Sequence, residues 1–156
     1  MLMALGQFVF QTQTVPYQEL DRTTQWRHPS QSRIGERPAR QFLGVGDDTI
    51  TLTGTLLPEF TGGRLSLDEL RDMADQGKAW PLVEGTGRIY GFWTIESINE
   101  RSSTFFYDGL AQKIEFTIVL QHVDDPTPQL IGEVTRAAAS DSAANDTTSA
   151  SETAYV

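Results

Sequence analysis

Hydrophobic and polar positions alternate most regularly along Thr49-Ile50-Thr51-Leu52-Thr53-Gly54-Thr55-Leu56, a full strand length with one aliphatic and one threonine face. Strict alternation of this kind predicts a half-buried antiparallel strand. Pro58 stops it and Thr61-Gly62-Gly63 turns the chain. Ser66 with Glu69 then has the spacing of a capping box, which predicts a helix over 66–76. Along that helix Leu67, Leu70, Met73 and Ala74 share one side and Asp68, Asp72 and Asp75 another, and Gly77 is placed to end it in a left-handed conformation. Two further strands, 80–84 and 88–96, flank the turn residues Gly85-Thr86-Gly87 and read as a hairpin.

Before this unit the pattern predicts a strand over Leu5-Gly6-Gln7-Phe8-Val9-Phe10 and another over 17–26, with Pro16 in the turn between them. After it, Phe105-Phe106-Tyr107 runs into the turn pair Asp108-Gly109. The last core strand, 113–120, alternates at Ile114, Phe116, Ile118 and Leu120. Several strands with a single docked helix make an α+β domain, a β-sandwich or half-barrel of mostly antiparallel strands with the helix covering a sheet face or edge.

The 156-residue length fits one domain, which the pattern places at 1–125. From 126 to 156 the composition shifts to Ala, Ser, Thr, Asp and Asn. Residues 124–156 hold six acids against Arg136, a net of −5 within a total of −9. A segment so poor in large apolar side chains is expected to form an irregular acidic tail, ordered only by neighbours in an assembly. The acidic balance argues against nucleic-acid recognition, which depends on neutralising phosphates. Zero cysteines exclude disulfides, thiolate zinc sites and cysteine nucleophiles. No apolar run is long enough to span a bilayer and no basic leader opens the chain, so a soluble protein made in a cytoplasm is expected.

Catalytic and cofactor chemistry finds little support. His28 and His122 lack ligand-spaced partners, so no metal is expected. Asp47-Asp48 and Asp124-Asp125 are adjacent pairs that point to opposite faces on a strand and read better as turn residues. Gly44-Val45-Gly46 and Gly85-Thr86-Gly87 read as turns, since neither completes a phosphate-loop spacing, and no nucleophile-elbow motif surrounds a serine. No enzyme, cofactor or metal is therefore expected.

The polar cluster that stands out is the connection from Arg27 to Gly46, which with Arg22 holds five of the twelve basic residues. Arginines here could pair with acids of the same subunit as a solvated loop. Alternatively, Trp26, Arg33, Arg37 and Arg40 form a protein interface, because the guanidinium fork recognises carboxylates bidentately and tryptophan is a common anchor. The acidic helix stripe of Asp68, Asp72 and Asp75 is a conceivable partner in a neighbouring copy. A reading from a different class is a small-ligand or carbohydrate-binding β-sandwich module using Phe105, Phe106 and Tyr107 as a stacking platform. Core or subunit interface is the preferred reading of those aromatics.

In order along the chain, Trp26-Arg27-His28-Pro29, Arg37-Pro38-Ala39-Arg40-Gln41-Phe42-Leu43-Gly44, Asp48-Thr49-Ile50-Thr51-Leu52, Thr61-Gly62-Gly63-Arg64-Leu65-Ser66-Leu67, Ala79-Trp80-Pro81-Leu82 and Gly87-Arg88-Ile89-Tyr90-Gly91 closely resemble the U-type tail proteins of contractile-tailed bacteriophages and R-type pyocins. The resemblance covers about residues 5–125. It implies a structural component of the virion tail, without enzymatic activity, needed for tail assembly at the junction of tail tube and baseplate. It further implies a tail-tube-like fold, a sixfold ring of copies, contacts with tail-tube and baseplate-hub proteins, and assembly in the host bacterial cytoplasm. In such a ring an extended basic connection would lie on the adjacent copy.

Overall fold

The computed structural model describes residues 1–60 and 63–124. The acidic tail expected from 126 onward lies outside the described residues. The elements in order are β1 (Met3–Leu5), β2 (Phe8–Phe10), β3 (Tyr17–Arg27), β4 (Ser30–Arg33), β5 (Glu36–Arg40), β6 (Gly44–Leu56), α1 (Arg64–Asp75), β7 (Trp80–Glu84), β8 (Ile89–Phe105) and β9 (Ala111–Val123). Seven strands form one antiparallel sheet in the order β2-β1-β7-β8-β9-β6-β3, and β4 and β5 pair separately. The α+β class with mostly antiparallel strands and one helix therefore holds.

Chain length forces this sheet to curl. Seven strands laid flat at about 4.8 Å spacing would hold the edge strands β2 and β3 roughly 29 Å apart. The chain from Phe10 to Tyr17 reaches about 25 Å even when fully extended, and the bond from Thr14 N–H to the Gln11 carbonyl (3.0 Å) shortens it further. The Phe10 and Tyr17 rings meet edge to face with centroids 6.2 Å apart. The result is an open half-barrel, since the two edges approach without closing a barrel.

Its interior is filled by residues two apart on facing strands. Ile50 pairs with Leu120, Leu52 with Ile118, Gly54 with Phe116 and Leu56 with Ile114. Apart from Gly54, which has no side chain, all of these residues are buried, as the alternation predicted. Gly54 is the small member of its pair, because a Cβ there would stand 2.6 Å from Phe116 Cζ and 2.6 Å from the Pro16 carbonyl oxygen. The helix closes the core with Leu67, Leu70 and Met73. Arg71 donates to Glu100 on β8 (2.7 Å) and Arg64 pairs with the same carboxylate (3.6 Å), fixing the helix along that strand.

Four local expectations change. The first strand is instead a hairpin, β1 and β2, with Gly6 at φ +57 beside the Trp80 ring, where only glycine leaves room. The helix begins two residues early, at Arg64, so Ser66 lies inside its first turn and Glu69 in its second, and no capping box forms; Gly63 is the N-cap, with no side-chain cap bond. Gly44-Val45-Gly46 is not a turn but the start of β6. Asp47-Asp48 likewise lies in that strand. Gly46 faces the bulge at Gln25 in β3, where a Cβ would meet the Gln25 carbonyl oxygen at 3.0 Å, so close backbone approach explains this glycine. At the other end of α1, Gly77 takes φ +62 and donates to the Ala74 carbonyl (2.9 Å), ending the helix as expected.

Candidate functional site: an exposed basic arm

The arginine-rich connection is not an irregular loop. Beyond Arg27 the chain continues the β3/β6 pairing, through bonds from Leu43 N–H to the Arg27 carbonyl (2.9 Å) and from Gln41 N–H to the Pro29 carbonyl (3.2 Å), into the β4/β5 ribbon. Ile34 and Gly35 form the tip between the paired residues Arg33 and Glu36, and Gly35 takes φ +80 there. Pro38 is accommodated because the register slips between the Gln31 and Arg33 pairs, leaving its missing N–H outside the ladder. With six to seven residues per strand at roughly 3.3 Å each, the ribbon reaches about 20 Å beyond the sheet.

Trp26, Arg33, Arg37 and Arg40 all lie on this arm, Trp26 at its base opposite Val45, Arg40 next to the base opposite Ser30, and Arg33 at the tip. They line one ribbon rather than converging on a pocket. Every residue from 25 to 43 except Ala39 is exposed, and Trp26 keeps 58% of its surface accessible. Among the described residues, own-subunit pairing does not account for Arg33, Arg37 and Arg40. Arg33 has only the arm's Glu36, 3.7 Å away and itself largely wet, and among the described residues Arg37 and Arg40 make no ion pair. Residues 27–43 carry four arginines against one glutamate, a net of +3 on a chain whose remainder sums to −12.

Where the arm joins the half-barrel, charges do pair. Arg22 donates through Nε to Asp48 Oδ1 (3.0 Å) and through a second nitrogen to Oδ2, and Thr24 donates to the same carboxylate (3.1 Å). The Arg22 guanidinium holds Asp48 below the usual carboxylate range, and its own pKa rises in return. Arg22 also lies over the rings of Tyr90 (5.7 Å) and Trp93 (5.8 Å), so it clamps β3 to β6 and β8 at the root of the arm. His122 stacks edge-on against Trp93 (5.0 Å) with Nδ1 3.0 Å from Asp124, and His28 lies against Phe42 (5.2 Å). Among the described residues no group of three or more His, Asp or Glu could hold a metal ion, and no helix is long and apolar enough to cross a membrane.

The aromatic turn occupies the opposite end. β9 runs antiparallel to β6, so residues 106–110 lie beyond Leu56 while the arm leaves beyond Thr49. Phe105 and Tyr107 are exposed, which overturns the sheet-core half of the preferred reading, core or subunit interface, and leaves its interface half. Their side chains are displayed by a tight turn, with Phe106 N–H bonded to the Leu110 carbonyl (2.9 Å) and Asp108 accepting from Leu110 N–H (3.2 Å). Beside the turn lies a groove of about 400 Å³ lined by Pro58, Glu59, Arg64, Phe106, Leu110, Ala111 and Ile114. A sugar site wants several converging polar groups. This wall is mostly hydrocarbon, and Arg64 is already engaged by Glu100 and by Ser102 (3.3 Å), so the geometry suits an apolar side chain better.

A profile of the Phage P2 GpU family matches residues 6–125, which is the half-barrel and its arm together. The chain belongs to this family. It is also 33% identical over 126 residues to a probable tape measure protein of Halomonas phage phiHAP-1. That match takes in 79% of the chain but 14% of the relative, so the GpU-like portion forms a small part of a much longer polypeptide there. The chain is thus a phage tail protein of the GpU family. The arm residues Ile34, Phe42, Leu43 and Val45 escaped the reading by residue type, although a lone isoleucine between Arg33 and Gly35 in a polar run is the kind of signal that marks a displayed side chain.

Proposed function

We propose that this GpU family member is a structural protein of a contractile tail, acting at the junction of tail tube and baseplate through subunit contacts made by its arm. The observation that carries the reading is the arm itself: a ribbon about 20 Å long, basic on an otherwise acidic chain, with Arg37 and Arg40 unpaired among the described residues. A lone protein gains nothing from holding such an element in water. A ring of identical subunits, sixfold as the family resemblance implies, gives it an acidic neighbour. The same reading places the protein in the virion tail after synthesis in the host cytoplasm, in contact with tail-tube and hub proteins. The covalent joining of a GpU-like stretch to a longer chain in the phiHAP-1 relative supports a further contact, with a tape measure protein supplied as a separate chain.

The test is the triple substitution of Arg33, Arg37 and Arg40 by alanine. The domain should fold with an unchanged melting temperature, because none of the three touches the core, while the yield of complete tails falls by at least tenfold. Normal tail yield from a stably folded triple variant would remove the arm from the assembly surface.

A further inference from the structure

The two ends of the half-barrel differ in a complementary way. One end projects the basic arm, whose tip side chain Ile34 is completely exposed. The other presents the apolar groove between Pro58, Phe106, Leu110 and Ile114, with Glu59 on its lining. Glu59 makes no ion pair among the described residues, and Asp108 stands on the neighbouring turn. Within one copy these features cannot meet, because the eight-residue β6/β9 ladder, roughly 27 Å long, and the arm both separate them.

Backbone strain marks the groove end independently. Thr104, the residue before Phe105, takes φ +56, a left-handed conformation that a β-branched residue adopts at a cost of about 1–2 kcal/mol. Strain of this size persists where surrounding structure imposes it and clusters at active sites, ligand clamps and switch regions.

We infer that the arm of one copy docks at the opposite end of the next copy, with Ile34 seated in the Pro58/Phe106/Leu110/Ile114 groove and Arg33 or Arg37 paired with Glu59. The occupant is a second copy of this chain. The arm's net +3 meets Glu59 on the lining, where Arg64 is already paired with Glu100, and the shape match is one aliphatic tip to one mostly apolar groove. Each copy gives one arm and receives one, so the contact is heterologous and propagates to a closed ring or a stack. This inference rests on the assembly reading above.

The chain has no cysteine, so an introduced pair reports on this contact alone. Tails carrying Ile34→Cys together with Leu110→Cys are purified under reduction, oxidised, and separated on a denaturing gel. Both positions lie in the proposed contact and cysteine is smaller than either residue it replaces, so reduced particles should form at a lower but measurable yield. The expected result is a ladder of covalent multimers of this chain. Ile34→Cys paired with Asp75→Cys, on the helix, should give none. A ladder from the helix pair instead, or an Ile34→Cys disulfide to a cysteine of a different tail protein, overturns the arm-to-groove contact. The chain's presence in tails without any ladder overturns it too, leaving the assembly reading intact. Absence of the unmodified chain from purified tails overturns the assembly reading itself.

Discussion

Replacing Gly54 by alanine tests whether the half-barrel closes as tightly as the core pairs imply. Gly54 is flanked by Phe116 on β9 and Tyr17 on β3, and the added methyl would stand 2.6 Å from Phe116 Cζ, 2.9 Å from its Cε1 and 2.6 Å from the Pro16 carbonyl oxygen. The Phe116 ring is buried among close-packed neighbours, and Pro16 is main chain in the short connection that holds the two sheet edges together. Overpacking at such a site costs about 1–3 kcal/mol. The stiffer unfolded chain returns about 0.4–1 kcal/mol. The net loss is therefore about 1–2 kcal/mol, read as a melting temperature lower by roughly 4–8 °C in a domain of this size. Thermal and urea unfolding followed by circular dichroism measure it directly. Phe116→Leu withdraws the ring and leaves the Pro16 oxygen in place, so the double variant should be less destabilised than the sum of the two singles by about 1 kcal/mol. An unchanged or higher melting temperature for Gly54→Ala, or strict additivity in the double variant, would refute the packing argument.

Two further outcomes follow from the clamp and the strained turn. Because Arg22 lowers the Asp48 pKa on folding, the pair's contribution is complete above the ordinary carboxylate value near pH 4 and is lost as pH falls through the folded value. Asp48→Asn should thus be less stable than the parent at pH 7, by about 1 kcal/mol or less given the wet Arg22 side chain, and the gap should shrink by pH 3; an equal gap at both values would show that ionisation is not its source. Thr104→Gly should be neutral or stabilising by up to about 1 kcal/mol, because glycine relieves the left-handed conformation, whereas a loss above 1 kcal/mol in chemical denaturation would mean that the threonine is not strained.

Much of this protein is set by local pattern. The alternation in 49–56 and 113–120 determined which side chains face the core, since successive residues of a strand point to opposite faces regardless of what lies around them. The stripe of Leu67, Leu70 and Met73 likewise determined the buried side of α1, and Gly77 its end. The ordered motifs from Trp26 to Gly91 were enough for the family, and composition alone singled out the basic connection. The tertiary structure decided what chain-local signals cannot carry. The Ser66/Glu69 spacing lost to a start at Arg64, where docking onto Glu100 and core burial outweigh a cap bond of about 1 kcal/mol. Gly44, Gly46 and Asp47 sit in a strand because β3 pairs across from them, a contact between residues some twenty positions apart. Most of all, only the fold shows that the arginines lie on a two-stranded ribbon and that the aromatic turn lies at the other end of the half-barrel, because relative placement depends on how distant strands pair and how far the sheet must curl for Phe10 to meet Tyr17.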